Sequence, residues 1–139
     1  YKLTNDSTLL NSVRIWADDF VPFLIEHNLP CEITLYTDGS YQLVELPQIA
    51  YGINALYSGI QTLADISGEN RYQRYAKQIF GWFSGTNPAQ EQMYWPKTGI
   101  TFDGINEDKK VNRNSGAEST IEGLLSQQRN YYRKLSGKK

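Results

Sequence analysis

Apolar residues recur at spacings of three and four in four separate segments of this chain, and residues 86–114 interrupt them with no clear periodicity. That pattern constrains the fold more than any single motif, because several helices must bury their stripes around one long connection. The first segment, residues 6–27, carries Leu9, Leu10, Val13, Trp16, Phe20, Phe23 and Leu24, with Asp6 or Ser7 as the N-cap. Pro22 lacks an N–H and clashes with the preceding turn, so a kink or a break into two pieces is predicted there. The second segment, 47–66, has Pro47 suited to a first helical position and a stripe of Ile49, Ile53, Leu56, Tyr57, Ile60, Leu63 and Ala64. The third, 70–83, buries Tyr72, Tyr75, Ala76, Ile79, Phe80 and Phe83, with Gly85 closing it. The short Ser67-Gly68-Glu69 link predicts that the second and third helices are antiparallel neighbours. The last helix spans 116–134, with Ala117, Ile121, Leu124, Leu125, Gln128, Tyr131 and Tyr132 along it.

Only residues 32–45 change period. Ile33, Leu35 and Tyr36 lead through Thr37-Asp38-Gly39-Ser40 to Tyr41, Leu43 and Val44, which reads as a small β-hairpin that must pack on something else to be stable. The expected fold is therefore mainly α: antiparallel helical hairpins with one small β-hairpin near 32–45. A length of 139 residues suits one domain over 1–139.

The net charge of −1 and the scattered basic residues give no reason to expect a nucleic-acid partner, and the tail Arg133-Lys134…Lys138-Lys139 reads as a solvated terminus. No apolar stretch reaches the length of a membrane helix, so no membrane partner is expected. Cys31 and His27 are single, which leaves no metal cluster to build and no cofactor to expect. Cys31 reads as a buried or half-buried structural thiol, and His27 as a surface or capping residue where a helix stops before Pro30. The chain starts at Tyr1 without a signal-peptide pattern, and the compartment stays open, with the cytoplasm slightly favoured.

Chemistry concentrates in the long connection. Tyr94, Trp95, Phe102, Asp103, Asn106, Asn112, Arg113 and Asn114 precede Ser115-Gly116-Ala117-Glu118. An ordered connection carrying Trp, Asp and Asn is a better functional candidate than any of the helices. Trp and Tyr combine an apolar face with a polar edge, and Asn offers both a donor and an acceptor; together they suit sugar rings and hydroxyls. Glycosidic hydrolysis uses two carboxylates, for which Asp103 and Glu118 are the candidate pair. A second reading of Glu118 stands beside this one: Ser115-x-x-Glu118 fits a capping box, in which each side chain bonds the other residue's amide. Likewise Asp103-Gly104 fits a plain turn.

A resemblance adds to these readings. Gln48-Ile49-Ala50-Tyr51-Gly52-Ile53, Trp82-Phe83-x-Gly85-x-Asn87-Pro88, Phe102-Asp103-Gly104-Ile105 and Val111-Asn112-Arg113-Asn114-Ser115-Gly116-Ala117-Glu118-Ser119-Thr120-Ile121-Glu122 resemble the C-terminal part of six-hairpin glycosidase-like proteins. The similarity covers about residues 46–128. Gly85-Thr86-Asn87-Pro88 is also similar to a motif near the end of family-nine endoglucanases, in which a later Glu is the proton donor; carried over, that role falls on Glu118. The resemblance implies an (α/α) toroid, present here only in part, whose cavity mouth carries residues 94–114. It implies a carbohydrate ligand and a glycoside hydrolase-like activity that this stretch alone would not complete, with a non-catalytic glycan-binding or glycosyltransferase-associated partner domain as the alternative. It also implies exposed apolar helix faces that associate with a missing N-terminal part or with a second copy. Glu118 and Asp103 are the expected catalytic residues, and Tyr94, Trp95, Asn112, Arg113 and Asn114 the expected substrate-binding set.

Overall fold

The computed structural model describes residues 4–136. Five α-helices, a 3₁₀ turn and seven short strands follow one another: α1 Ser7–Asp19, α2 Val21–Glu26, β1 Glu32–Leu35, β2 Tyr41–Val44, β3 Gln48–Ile49, α3 Ala50–Ser67, α4 Asn70–Phe80, the 3₁₀ turn Gly81–Ser84, β4 Tyr94–Trp95, β5 Ile100–Thr101, β6 Gly104–Ile105, β7 Val111–Asn112 and α5 Ala117–Ser136. The chain is about 53% helical, and its strands form three small antiparallel sheets, β1-β2, β3-β6-β7 and β4-β5. This mixed α/β arrangement corrects the expected mainly-α (α/α) toroid of helical hairpins. The physical reason lies in residues 86–114. Their strands are two residues long, too short for any alternation to register in the sequence, yet they pair with one another and with Gln48–Ile49.

Local signals placed the helices well. Asp6 caps α1, its carboxylate accepting from the Thr8 N–H at 2.9 Å. The helix breaks at Phe20, and Pro22 sits in the first turn of α2, where a missing N–H does no harm. His27 ends α2 with its ring Nδ1 against the Phe23 carbonyl at 2.8 Å. Gly68 takes a left-handed φ of 71° to close α3, and the short link folds α4 back onto it in the most extensive helix pairing of the molecule. The hairpin forms with Ile33 opposite Leu43, and Asp38 holds its turn through the Ser40 N–H and O–H at 2.9 and 2.7 Å.

Three expectations need correcting. Pro47 does not open α3: Gln48 and Ile49 pair with Ile105 and Gly104, so the helix begins at Ala50, whose N–H donates to the Asp103 carbonyl at 2.9 Å. The third helix stops at Phe80 and tightens into the 3₁₀ turn before Gly85. Cys31 is exposed, not buried, because it stands at the entry to β1, with its thiol donating to the Val44 carbonyl at 3.2 Å. Lys138 and Lys139 of the basic tail lie outside the described residues.

The core joins Ile53, Tyr57, Ile60 and Leu63 of α3 to Tyr72, Ala76 and Ile79 of α4, with Ala17, Val21, Trp82, Phe83, Met93 and Ile105 completing it. Gln48 is only 3% exposed and is held on all sides. Its amide accepts from the Trp82 indole N–H at 2.7 Å and donates to the Asn28 and Leu29 carbonyls at 2.7 and 3.0 Å. A buried amide without those partners would cost about 1–3 kcal/mol, so the three bonds fix β3 against both the α2 end and the 3₁₀ turn.

Two outcomes test this packing. A Cβ on Gly104 would fall 2.1 Å from the Gln48 carbonyl oxygen, a backbone atom. Gly104→Ala should therefore lower unfolding free energy by about 1–3 kcal/mol in urea titrations. Burial pushes the Tyr57 hydroxyl up to about 12 from 10.0, against a smaller opposite pull from Arg133 and Arg129. The folded state thus keeps a proton that the unfolded chain releases near pH 10. The associated stability is complete below pH 10 and is lost as pH rises through about 12. The Tyr57 hydroxyl has no hydrogen-bond partner among the described residues. Tyr57→Phe should leave the melting temperature at pH 7 equal or higher, and should flatten its fall between pH 10 and 12.

Candidate functional site

Asp103 stands between two helix starts. Its carbonyl accepts from the Ala50 N–H at the start of α3, and its N–H donates to the Asn114 carbonyl, both at 2.9 Å. Its carboxylate Oδ1 accepts from the Ser119 hydroxyl at 2.5 Å and from the Gly116 N–H at 3.3 Å, at the start of α5. The next two residues form β6, which pairs with β3 on one side and β7 on the other. One residue therefore links α3, the central strand of a sheet and α5.

This geometry decides part of the Asp103 question. The side chain caps α5 from thirteen positions upstream, a role that neither a local turn nor a local capping box predicts. The expected capping box between Ser115 and Glu118 is replaced: the Ser115 hydroxyl lies 3.2 Å from that of Thr120, and the Gly116 N–H is satisfied by Asp103. Glu118 occupies the first turn of α5, exposed, and its carboxylate makes no hydrogen bond among the described residues. A carboxylate there is favoured by the positive end of the helix dipole.

The other predicted residues divide into those near this junction and those away from it. Asn112, on β7, is half-buried, and its side-chain oxygen accepts from the Asn114 N–H at 3.1 Å; Asn114 is exposed. These two, with Asp103 and the first turn of α5, form one neighbourhood. Tyr51 joins them from the first turn of α3, 53% exposed and adjacent to the Ala50 amide bound by Asp103. Tyr51 lies more than fifty positions from Asp103 in the chain, so no spacing in the sequence places it at this junction. Arg113 points elsewhere: its guanidinium pairs with Glu91 at 2.5 Å and covers the Phe102 ring at 5.2 Å. Tyr94 packs partly buried against the core. Trp95 pairs with Ile100 at the far end of the β4-β5 hairpin, 47% exposed, with no hydrogen bond to Asp103 or Glu118.

A second polar cluster ties α3 to α5. Asn54, nearly buried, donates from its amide nitrogen to the Glu122 carboxylate, and its amide oxygen accepts from Ser126 at 2.6 Å and Ser58 at 3.1 Å. Asn54, Ser58 and Gln61 repeat at helical spacing within the apolar stripe of α3, which was a readable sign that this face meets a polar partner. A cavity of about 930 Å³ lies elsewhere, lined by residues including Leu29, Arg74, Lys77, Trp82 and Asn87 but by none of the predicted site residues. No group of three or more His, Cys, Asp or Glu residues among those described is arranged to hold a metal ion. No described helix is long and apolar enough to cross a membrane.

Comparison with protein-family models and with curated proteins gives no match for this chain.

The division of labour between the two carboxylates is measurable without any ligand. Asp103→Ala removes the cap from α5 and should cost about 1–2 kcal/mol in chemical denaturation. Glu118→Gln removes only a dipole interaction at an exposed position and should change stability by less than about 1 kcal/mol. The reverse ranking would return the capping role to Glu118.

Proposed function

We propose that this chain is a carbohydrate-binding domain whose ligand surface is Tyr51, Asn112, Asn114 and Glu118, gathered around Asp103. The observation that carries the reading is this junction: an exposed aromatic, two amides and an unengaged carboxylate on a frame of three secondary-structure elements tied to one residue. An aromatic face stacks on the apolar face of a pyranose, while amide and carboxylate groups bond its hydroxyls. The resemblance of residues 46–128 to carbohydrate-active proteins supports the same ligand class.

Binding is favoured over cleavage because Asp103 has its Oδ1 engaged as a cap, which leaves Glu118 as the unengaged carboxylate of the pair. Glycoside hydrolysis uses two. A glycoside hydrolase-like reading keeps one specific support, the exposed carboxylate of Glu118, which makes no hydrogen bond among the described residues.

Titration of the protein with cello-, xylo-, malto- and manno-oligosaccharides, followed by amide chemical shifts, tests the reading. Shifts should concentrate at Tyr51, Asn112, Asn114 and Glu118, and Asn114→Ala or Glu118→Gln should weaken affinity by roughly tenfold, about 1.4 kcal/mol. Absence of any response to all four series at about 10 mM, a concentration that detects even binding of about −3 kcal/mol, would overturn it. New reducing ends that disappear in Glu118→Gln would favour the hydrolase reading instead.

A further inference from the structure

The cavity of about 930 Å³ opens between the end of α2, α4 and the loop that follows the 3₁₀ turn. Its wall carries charge of one sign. Arg74, Lys77 and Gln78 stand three and four apart on α4 and share one helix face, and no described Asp or Glu lines the cavity. Arg71, one turn earlier, is paired with Asp18 at 3.2 Å and with Glu69 at 2.8 Å, whereas the side chains of Arg74 and Lys77 make no ion pair and no hydrogen bond among the described residues. The carboxylates closest to its rim are engaged outside it. Glu45, which accepts from the Asn28 amide, pairs with Lys109, and Glu91, next to Gln90, pairs with Arg113. Gln78, Thr86 and Gln90 also line the cavity, and their side chains are free of hydrogen bonds among the described residues, so each has a donor to offer. The rim backbone has an uncommon shape. Five described non-glycine residues have a positive φ, and three of them line this cavity: Asn28 and Leu29, both at 58°, and Gln90 at 54°. Such backbone at a leucine or a glutamine persists only where its surroundings hold it, and it gathers at ligand sites. Here Gln48 holds the first two, donating to both their carbonyls.

We propose that this cleft binds a small organic phosphate, with the phosphate between Arg74 and Lys77 and the carbon body along Leu29 and Pro88. Two unpaired cations match one dianionic group, since a phosphomonoester carries about −1.5 to −2 charges at pH 7. A guanidinium forks onto two phosphate oxygens and an ammonium adds a point charge. Gln78, Thr86 and Gln90 supply neutral donors to a further phosphate oxygen or to hydroxyls of the body. A carboxylate would leave one of the two positive charges unmatched. Cavities that hold small organic ligands measure roughly 300–1,000 Å³, so this one has room for a body beyond the phosphate itself. The cleft shares no residue with Tyr51, Asn112, Asn114 and Glu118, so this site and the proposed sugar surface stand or fall separately.

Titration with phenyl phosphate, benzoate and inorganic phosphate, followed by amide chemical shifts, tests the assignment. Phenyl phosphate should move the signals of Arg74, Lys77, Thr86 and Gln90 with a dissociation constant below about 1 mM. Benzoate, with the same ring and a single charge, and inorganic phosphate, with no ring, should each bind at least about tenfold more weakly. Arg74→Gln and Lys77→Gln should each weaken phenyl phosphate about tenfold. Both should keep the native circular dichroism spectrum and melting temperature, because neither side chain holds an ion pair or a hydrogen bond in the fold. The shifts of the unaltered protein locate the site even if a variant fails to fold. No shift at these residues with about 10 mM phenyl phosphate would overturn the proposal, as would shifts undiminished in both variants. Benzoate bound as tightly as phenyl phosphate would make this a carboxylate site and overturn the phosphate assignment. Inorganic phosphate bound as tightly would mean an adventitious ion only, and would overturn it too.

Discussion

The starts of two helices and the middle strand of a sheet converge on Asp103. A helix start leaves several N–H groups without intrahelical partners, and in the interior of a protein each must be met by something. Here the Asp103 carbonyl meets the Ala50 N–H, and its carboxylate meets the Gly116 N–H and the Ser119 hydroxyl. One residue thus fixes where α3 and α5 begin and how far apart they stand. Gly104, immediately after it, has no side chain because the Gln48 carbonyl occupies that space. Gln48 in turn holds Trp82 and the Asn28-Leu29 carbonyls. The aromatic core, the sheet and the exposed polar surface are connected through this short series of contacts.

Helix α5 has a different role at each of its faces. Its first turn carries Glu118 beside the junction. Its inward face is small and polar, which allows the backbone to approach β5 at Gly123 and lets Asn54 reach Glu122 and Ser126. That close approach leaves the bulky residues no room inside, so they point outward. The same packing that seats α5 therefore creates the outward apolar stripe.

The candidate site was partly legible. The cluster of Asp103, Asn112, Asn114 and Glu118 stands out in the sequence because polar residues of these kinds precede a helix, and the structure brings Asp103, Asn112 and Asn114 to its first turn. Arg113, Tyr94 and Trp95 were grouped with them by residue type, by nearness in the chain and by the resemblance. In a two-residue strand successive side chains take opposite faces, so neighbours in sequence separate in space. Tyr94 is drawn to the core, Trp95 to solvent and Arg113 to Glu91. Tyr51 was invisible for the opposite reason: only the pairing of Ile49 with Gly104 brings it near Asp103.

By itself the sequence determined where the helices lie, the cap of α1, the end of α3 and the break before Pro22, because these rest on interactions within a few residues: the Asp6 cap, the left-handed Gly68, the missing proline N–H. It also determined the β1-β2 hairpin through Asp38-Gly39. Only the tertiary structure decided that residues 86–114 hold four two-residue strands, that the fold is mixed α/β, and that Asp103 caps a helix while Glu118 stays exposed. Those outcomes depend on hydrogen bonds between groups far apart in the chain, such as Ala50 with Asp103 and Gln48 with Trp82. No periodicity records such a bond, because its energy belongs to two segments whose meeting the core alone arranges.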